Sequence, residues 1–259
     1  MEWTMDFPRS WLPSRLNEGD EAPLDKPTSS RWVIDKPVNT HSYHSDERRF
    51  DSYVCAQFEC HNATSGQEGF MRVYVQVPHV GYEHADKATL ARDAKESTPL
   101  ELDAYKYLTA RHSKNTPALL AYKRDTQPTD GPVPIGHVTW IVWEKVPGKC
   151  LGPPNSASVY RGLPSDERKR VREAFLQEFP TIWKMGYFPE KPSRSSLIWD
   201  NNTGALYFVG FRDSTHFQPN NQSRKPLKAW LPDFDLARPP QKNFKWRIDY
   251  TENMAGWEL

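Results

Sequence analysis

The fold is decided by Met185-Gly-Tyr-Phe-Pro-Glu-Lys-Pro-Ser-Arg-Ser-Ser-Leu-Ile-Trp-Asp200 and, a few residues later, by Leu206-Tyr-Phe-Val-Gly-Phe211. Two apolar runs, which begin at Leu197 and Leu206, flank Asn201-Asn-Thr-Gly204, a sequence that is typical of a tight turn. This pattern predicts a β-hairpin that follows a loop rich in proline and serine.

Length, charge and cysteine content narrow the class of protein. The chain has 259 residues, enough for one two-lobed domain or two small ones, and its net charge is +1. Such a balance creates no global field for nucleic acid or membrane, so any contact with nucleic acid needs a local basic patch. The three cysteines, Cys55, Cys60 and Cys150, form no CxxC pair. With no signal peptide or transmembrane run in the sequence, we expect a reducing, cytoplasmic location.

The pattern along the chain predicts both strands and helices. Residues 1–30 are rich in Pro, Ser and acidic groups and predict an irregular N-terminal arm. Alternating or continuous apolar runs predict strands over 50–59, 70–77 and 137–144, the first two joined as a hairpin by the turn 61–69. Helices are predicted within 86–111, with Pro99 opening the second of them, and from a capping Ser165 to about residue 185.

This order of elements predicts an α+β fold with two lobes joined near residues 145–150. After the arm, residues 31–147 form the small β-rich N-lobe, and residues 148–259 form the larger, mostly helical C-lobe.

Several strings together resemble the fungal branch of the protein-kinase-like and aminoglycoside-phosphotransferase-like fold. Residues 140–149 resemble the hinge between lobes, and Glu101-Leu-Asp-Ala-Tyr105 is similar to the helix-C segment. Residues 197–200 and 206–211 resemble the two strands that flank the metal site. The resemblance covers roughly residues 50–215 and implies the two-lobed architecture of that fold.

The same resemblance shows which catalytic residues have changed. Phosphoryl transfer needs a Lys held by a helix Glu, an Asp that orients the attacking hydroxyl, and an Asn and a second Asp that hold Mg²⁺. These positions fall, in that order, at Gln76, Lys191, Ser196 and Gly210. The glycine-rich phosphate loop is also unrecognisable, so we predict a pseudokinase-like chain without Mg-ATP phosphotransfer and without a cofactor. A one-residue shift would instead bring Glu190 or Asp213 into play.

Candidate residues for another chemistry lie near these positions. Without a Lys at Gln76, Glu101 is predicted to be free for general acid/base work, or to be a solvated helix carboxylate. Glu190 and Lys191 either bind an anionic or carbonyl substrate or are ordinary surface charges. Ser196 and its neighbour Ser195 include a candidate nucleophile, or they only cap a turn. The histidines show no metal-ligand spacing, so no metal is predicted.

Basic residues on the predicted long helix and in the C-terminal region suggest RNA as a partner. They are interleaved with aromatic residues such as Trp230 and Trp246, which suits single strands whose phosphates pair with cations and whose bases stack. The alternative is a solvated helix face and a tail whose Trp residues pack on the protein. The candidate RNA-binding residues are Arg168, Lys169, Arg170, Arg172, Lys242, Lys245 and Arg247.

Two functions follow. One is a non-catalytic pseudokinase that acts as a scaffold or regulator. The other is a repurposed enzyme, since function lives in sites rather than in folds. The chain is similar, in size and in its basic-aromatic region, to the arginine-containing cyclodipeptide synthases of fungal natural-product pathways, which join amino acids taken from aminoacyl-tRNA. That resemblance implies carboxylates that bind a guanidinium, with Glu101, Glu144 or Asp213 as candidates and Gln76 as a further substrate-binding residue.

Overall fold

The chain forms two compact units in a computed structural model that describes residues 5–152, 159–189, 191–217, 227–238 and 256–259. The first unit comprises Met1–Leu102 and Ala118–Lys145. The second unit comprises Asp103–Pro117 and Val146–Leu259. The chain therefore passes from one unit to the other within a helix, and again between residues 145 and 146, close to the predicted boundary.

The first unit is built on one antiparallel sheet of six strands in the order β1-β2-β3-β4-β6-β5. The strands are β1 Glu21–Leu24, β2 Ser30–Tyr43, β3 Tyr53–Asn62, β4 Glu68–Gln76, β5 Leu119–Thr126 and β6 His137–Glu144. The helices between β4 and β5 are α1 Lys87–Ala91 and α2 Leu100–Ala110, of which α2 ends in the second unit. The predicted hairpin of β3 and β4 and the predicted strand β6 are confirmed.

The two edges of this sheet meet. The backbone N–H of Lys26, just after β1, donates to the carbonyl of Tyr122 on β5 at 3.1 Å, and the Tyr122 N–H donates back at 2.8 Å. The sheet therefore curls until its first and last strands touch, which satisfies backbone groups that an open edge would leave to solvent.

The apolar core of the first unit lies on one face of the sheet. Alternate residues of the paired strands supply it, including Phe58, Met71 and Val73, because side chains two residues apart share a face. Leu12 and Leu16 of the N-terminal segment are buried in the same core. The expectation of an irregular arm over residues 1–30 is therefore wrong in part, since this segment contributes strand β1 and buried core residues.

The second unit combines one long helix with short strands. Its helices are α3 Val159–Gly162 and α4 Ser165–Lys184, besides the end of α2. Its strands are β7 Lys149–Cys150, β8 Tyr187–Pro189, β9 Leu197–Asp200, β10 Ala205–Phe208 and β11 Ser214–His216, arranged as the sheets β10-β9-β7 and β11-β8. The predicted hairpin of β9 and β10 is confirmed. The prediction of a mostly helical C-lobe is not confirmed, because short strands and turns occupy much of the described part.

Aromatic side chains fill the core of the second unit. Phe175 and Phe179 of α4 stack with ring centroids 4.9 Å apart, and Phe234 meets Phe175 at the same distance. Helix α4 begins where the sequence predicted, but Ser165 is its first helical residue rather than its cap. Pro164 precedes it without a side-chain cap, and Asp166 and Glu167 place negative charge at the positive end of the helix.

Helix α2 confirms the predicted apolar face. Leu102, Tyr105 and Leu108 are all buried, and the N–H of Leu102 bonds to the carbonyl of Pro99 at the start of the helix. Of the helices in the described ranges, none has the length and apolar character that crossing a bilayer requires.

Candidate functional site

A buried ion pair joins the sheet of the first unit to the first turn of α2. Arg72 of β4 donates from Nη1 to Oε1 of Glu101 at 2.5 Å, and the two side chains are 8% and 1% exposed. The Tyr74 hydroxyl donates to the second carboxylate oxygen, Oε2, at 2.7 Å. Both oxygens of Glu101 are therefore occupied by donors from the same strand.

Strand alternation explains why these groups converge. Arg72 and Tyr74 are two residues apart on β4, so their side chains share the face opposite the apolar core. Gln57 lies directly across from Arg72 on β3 and accepts a bond from its Nη2. The Trp143 ring lies 5.1 Å from the guanidinium, at a distance that favours a cation–π contact.

The surroundings raise the pKa values of both side chains that donate to Glu101. Burial alone lowers the pKa of Arg72, but the carboxylate of Glu101 outweighs that effect and raises the pKa well above its usual range. Burial, and then the charge of Glu101, raise the pKa of Tyr74, so its hydroxyl remains protonated and able to donate. Arg72 therefore stays a cation, and Tyr74 stays a neutral donor.

This geometry corrects the expectation for Glu101 and Gln76. Glu101 is neither solvated nor without a cation, because Arg72 supplies the charge that was sought at Gln76. Gln76 instead holds the segment that precedes α2: its Nε2 donates to the carbonyl of Asp93 at 2.7 Å, and its Oε1 accepts the N–H of Lys95 at 3.1 Å. The sequence did not predict the contact between Arg72 and Glu101, because tertiary packing decides which strand residue lies opposite the start of a helix.

In the second unit, the structure brings together the two positions that the kinase resemblance assigns to metal ligands. Ser196 is 6% exposed, and its carbonyl accepts the N–H of Val209 at 2.9 Å. A Cβ atom placed on Gly210 would lie 3.6 Å from Ser196 Oγ. Gly210 has a φ of +86°, a left-handed conformation that favours glycine. Together the two positions offer one neutral hydroxyl.

The other predicted catalytic and substrate-binding residues have separate surroundings. Lys191 is exposed, and Asp213 lies in a short 3-10 turn with its Oδ2 2.7 Å from Nη2 of Arg212. The Oε2 of Glu144 accepts the backbone N–H of Ala118 at 3.2 Å. Glu190 lies outside the described residues, and the roles proposed for all four residues stay predictions.

Three basic residues of α4 contact different neighbours. Arg172 donates to the Tyr160 hydroxyl at 2.8 Å, Arg170 lies over the Trp199 ring at 5.5 Å, and Lys169 is 3.8 Å from Glu173. Lys242, Lys245 and Arg247 lie outside the described residues. RNA binding by these groups and by Arg168 therefore stays a prediction.

The chain has similar proteins among solved structures but not among family models or curated proteins. Neither a family model nor a curated protein matches the chain. A solved structure to which the chain is similar is that of the Cydia pomonella granulovirus kinase, with a TM-score of 0.43 and 10% sequence identity. The similarity covers 71% of this chain and 52% of the viral protein, so the chain spans about half of the length of that kinase.

Proposed function

We propose that the chain has a kinase-like fold, that it does not transfer phosphate from Mg-ATP, and that it acts as a non-catalytic scaffold or regulator. The observation that carries this proposal is the pairing of Ser196 with Gly210 at the place where two metal ligands are needed. One neutral hydroxyl beside a glycine provides no anionic oxygen for Mg²⁺, which prefers carboxylates in proteins.

The order of elements supports the fold in this proposal. In the first unit, a helix inserted between antiparallel strands places the carboxylate of Glu101 on a strand cation. In the second unit, a long helix is followed by β8, a loop, the β9–β10 hairpin and the turn at Gly210, after which β11 pairs with β8. The kinase resemblance implies a helix carboxylate and flanking strands in this order.

The charges at the proposed site argue against phosphotransfer. Metal ions that bridge the phosphates supply several kcal/mol of transition-state stabilisation. These ions must be held by protein side chains as well as by the phosphate oxygens. Lys191 stands where the resemblance places the catalytic Asp, so a cation replaces the group that would orient the attacking hydroxyl. Restoring the reaction would need changes at several positions together.

A thermal-shift titration tests the proposal. We expect Mg-ATP to leave the melting temperature of the whole chain unchanged, because a ligand stabilises a protein only as far as it binds the folded state. At about 100 times its dissociation constant, a ligand adds about 2.7 kcal/mol. ATP without Mg²⁺, and Mg²⁺ alone, are the controls. A large shift that needs both together, or phosphate transfer from labelled ATP, would refute the proposal.

A second candidate function is the tRNA-dependent synthesis of an arginine-containing cyclic dipeptide. It is favoured by a concentration of arginines in the second unit near α4, since cations are what the phosphates of tRNA require. Of the carboxylates proposed to bind a guanidinium substrate, Glu101 already holds Arg72, and Asp213 lies 2.7 Å from Arg212.

Expression in a heterologous host separates this enzyme from a scaffold. The synthase would release a new cyclic dipeptide that contains arginine into the culture, and tRNA would co-purify with the protein. A host that carries the empty vector is the control for the metabolite profile. An unchanged profile together with an absence of bound tRNA would exclude the synthase and leave the scaffold.

A further inference from the structure

The imidazole of His137 lies buried at the start of β6. It is 7% exposed, and neither Nδ1 nor Nε2 has a hydrogen-bond partner among the residues that the structure describes. Thr139 lies two residues further along the same face of the sheet, and its buried Oγ1 likewise has no partner among those residues. Buried polar groups are nearly always hydrogen-bonded in folded proteins, so these two side chains need an explanation.

Two groups of opposite charge lie near His137. Asp51, in the loop before β3, and Arg124, on β5, both act on the charge of its imidazole. The register of β4 and β6, continued by one residue, places the uncharged Gln76 beside it, and Thr126 of β5 lies directly opposite. Protonation of His137 would therefore attract the carboxylate of Asp51 and repel the guanidinium of Arg124.

These surroundings keep the imidazole neutral at pH 7. Burial lowers the pKa of His137, the carboxylate of Asp51 opposes that effect, and the charge of Arg124 adds to it. Tyr74, which lies opposite Thr139 on β4, stays protonated and adds no charge, because its pKa is raised. A histidine that water reaches has a pKa of about 6.5, so the protein takes up a proton more readily when His137 is uncovered.

The same two charged groups also hold the linker between α1 and α2, which comprises residues 92–99. Asp51 Oδ1 lies 3.6 Å from Nζ of Lys95, and Arg124 Nη2 lies 2.8 Å from Oε1 of Glu96. Water reaches all four of these side chains, and ion pairs of this kind contribute little to stability. A modest change of charge nearby is therefore enough to shift them.

Gln76 completes the attachment of the linker to the sheet. Its Nε2 donates to the carbonyl of Asp93, and its Oε1 accepts the N–H of Lys95, so the linker is fixed to the end of β4 beside His137. The linker then leads into α2, whose first turn carries Glu101. A charge on His137 therefore acts at the place where the linker is attached.

We propose that His137 is a pH-sensitive switch, whose protonation releases the linker from the end of the sheet and whose deprotonation restores the attachment. The attached form offers the imidazolium no hydrogen-bond partner among the described residues, whereas the released form lets water hydrate it. Stability of the attached form is complete above about pH 6.5 and is lost as the pH falls towards the lowered pKa of His137, with about a tenfold change for each pH unit. The switch depends on neither function proposed above.

Hydrogen exchange of the whole chain tests the switch. The reporter is the backbone N–H of Lys95, which bonds to Gln76 Oε1 while the linker is attached. We expect its protection factor, which corrects for the direct effect of pH on exchange, to fall about tenfold between about pH 7.5 and about pH 5.5. The amide of Asn62, which bonds to Gln67 at the other end of β3, should keep its protection.

Variants locate the sensor. His137→Gln removes the titratable ring, so the Lys95 amide should have the same protection at both pH values. His137→Leu is a second uncharged variant and keeps the test valid if His137→Gln fails to fold. His84→Gln, which replaces an exposed histidine, is the matched control and should respond to pH as the unchanged chain does. Circular dichroism confirms that each variant is folded.

His79 is the competing sensor, because it is also buried at this end of the sheet. Its Nδ1 lies 3.0 Å from Ser52 Oγ, so its ring already has a hydrogen-bond partner while the linker is attached. His79→Gln should therefore leave the response of the Lys95 amide to pH unchanged. Loss of that response in His79→Gln, with the response kept in His137→Gln, would overturn the proposal.

An NMR titration of the unchanged chain gives a measurement that needs no variant. We expect the ring of His137 to titrate below its usual pKa of about 6.5. A ring that titrates at the usual value would contradict the proposal. So would equal losses of protection at Lys95 and Asn62, because they would indicate that acid unfolds the whole sheet rather than releasing the linker.

Discussion

Arg72 and Glu101 form an ion pair that is almost fully withdrawn from water. Taking two charges out of water costs several kcal/mol for each ion, and their attraction offsets this cost only when the remaining donors and acceptors are also satisfied. Here Tyr74 and Gln57 supply two of those bonds, while the buried Nε of Arg72 has no hydrogen-bond partner among the described residues. Removing either partner alone would therefore leave the other charge buried without a counter-ion.

We predict that Arg72→Met destabilises the chain by about 3–5 kcal/mol, because it leaves the carboxylate of Glu101 buried without a cation. The double variant Arg72→Met/Glu101→Met should recover part of that loss, since it removes both charges. Urea unfolding followed by circular dichroism measures both. A double variant less stable than the single variant would show that the pair itself, and not the orphaned charge, supplies the stability.

For individual residues, the sequence predicted some members of each contact and missed others. It singled out Glu101 as the acid at the start of a helix, but not Arg72, because many strand cations satisfy the same alternation. The kinase resemblance also assigned Ser196 and Gly210 to one site, and the structure brings the two positions close together.

Gly148 shows how a short strand depends on one residue. It precedes β7 and has a φ of +112°, and an added Cβ would lie 2.4 Å from the carbonyl oxygen of Trp199 on β9. The backbones of β7 and β9 therefore approach one another more closely than any side chain at this position would allow. Both the positive φ and the close approach require glycine.

We predict that Gly148→Ala lowers the free energy of unfolding by about 2 kcal/mol or more, because it combines backbone strain with a collision between β7 and β9. Gly162→Ala at the end of α3 is the matched control. No atom lies within 4 Å of its added Cβ, so it should be neutral or slightly stabilising. Thermal unfolding of the two variants makes the comparison, and equal melting temperatures would contradict the prediction.

The sequence predicted several elements long enough to show a period, and it predicted the hairpin of β9 and β10 from its turn, but it missed the long strands β2 and β5. Strands β3, β4 and β6 and helix α4 each give several repeats of their pattern, and all four lie where they were expected. Strands β1, β7, β8 and β11 have two to four residues, too few for any alternation to stand out. These short strands form because they pair with strands elsewhere in the chain. The local sequence does not indicate those partners.

For the whole molecule, the N-terminal segment is part of the first unit rather than an appendage. Leu16 and Leu24 are buried against the face of the sheet that also holds Phe58 and Met71. Strand β1 adds the hydrogen bonds that let the sheet close on itself. The apolar core of the first unit is therefore complete only when this segment is in place.

We predict that Leu16→Ala and Leu24→Ala each cost about 2–5 kcal/mol, which is the usual loss for a buried leucine. Val38→Ala removes apolar atoms from an exposed position of β2 and should cost less than about 1 kcal/mol. Chemical denaturation measures all three. If Leu16→Ala proved as mild as Val38→Ala, the N-terminal segment would contribute little to the core.

The sequence predicted the broad organisation of the chain more closely than its details. The expected junction at 145–150 includes the point between Lys145 and Val146 where the units divide. The passage of α2 from one unit into the other was not anticipated, because a helix shows no change of pattern where its packing partners change. The kinase-like fold stays a proposal that rests on the order of elements.

The contact between Lys26 and Tyr122 also sets an order of events in folding. Three strands and two helices separate these residues along the chain, and a long loop closes only at an entropic cost that local pairing avoids. During synthesis β1 therefore leaves the ribosome well before β5, its last neighbour, exists. Until β5 arrives the growing sheet has an open edge that can recruit other chains. Pulsed hydrogen exchange at the Tyr122 amide would measure when Tyr122 pairs with Lys26 and the open edge is covered.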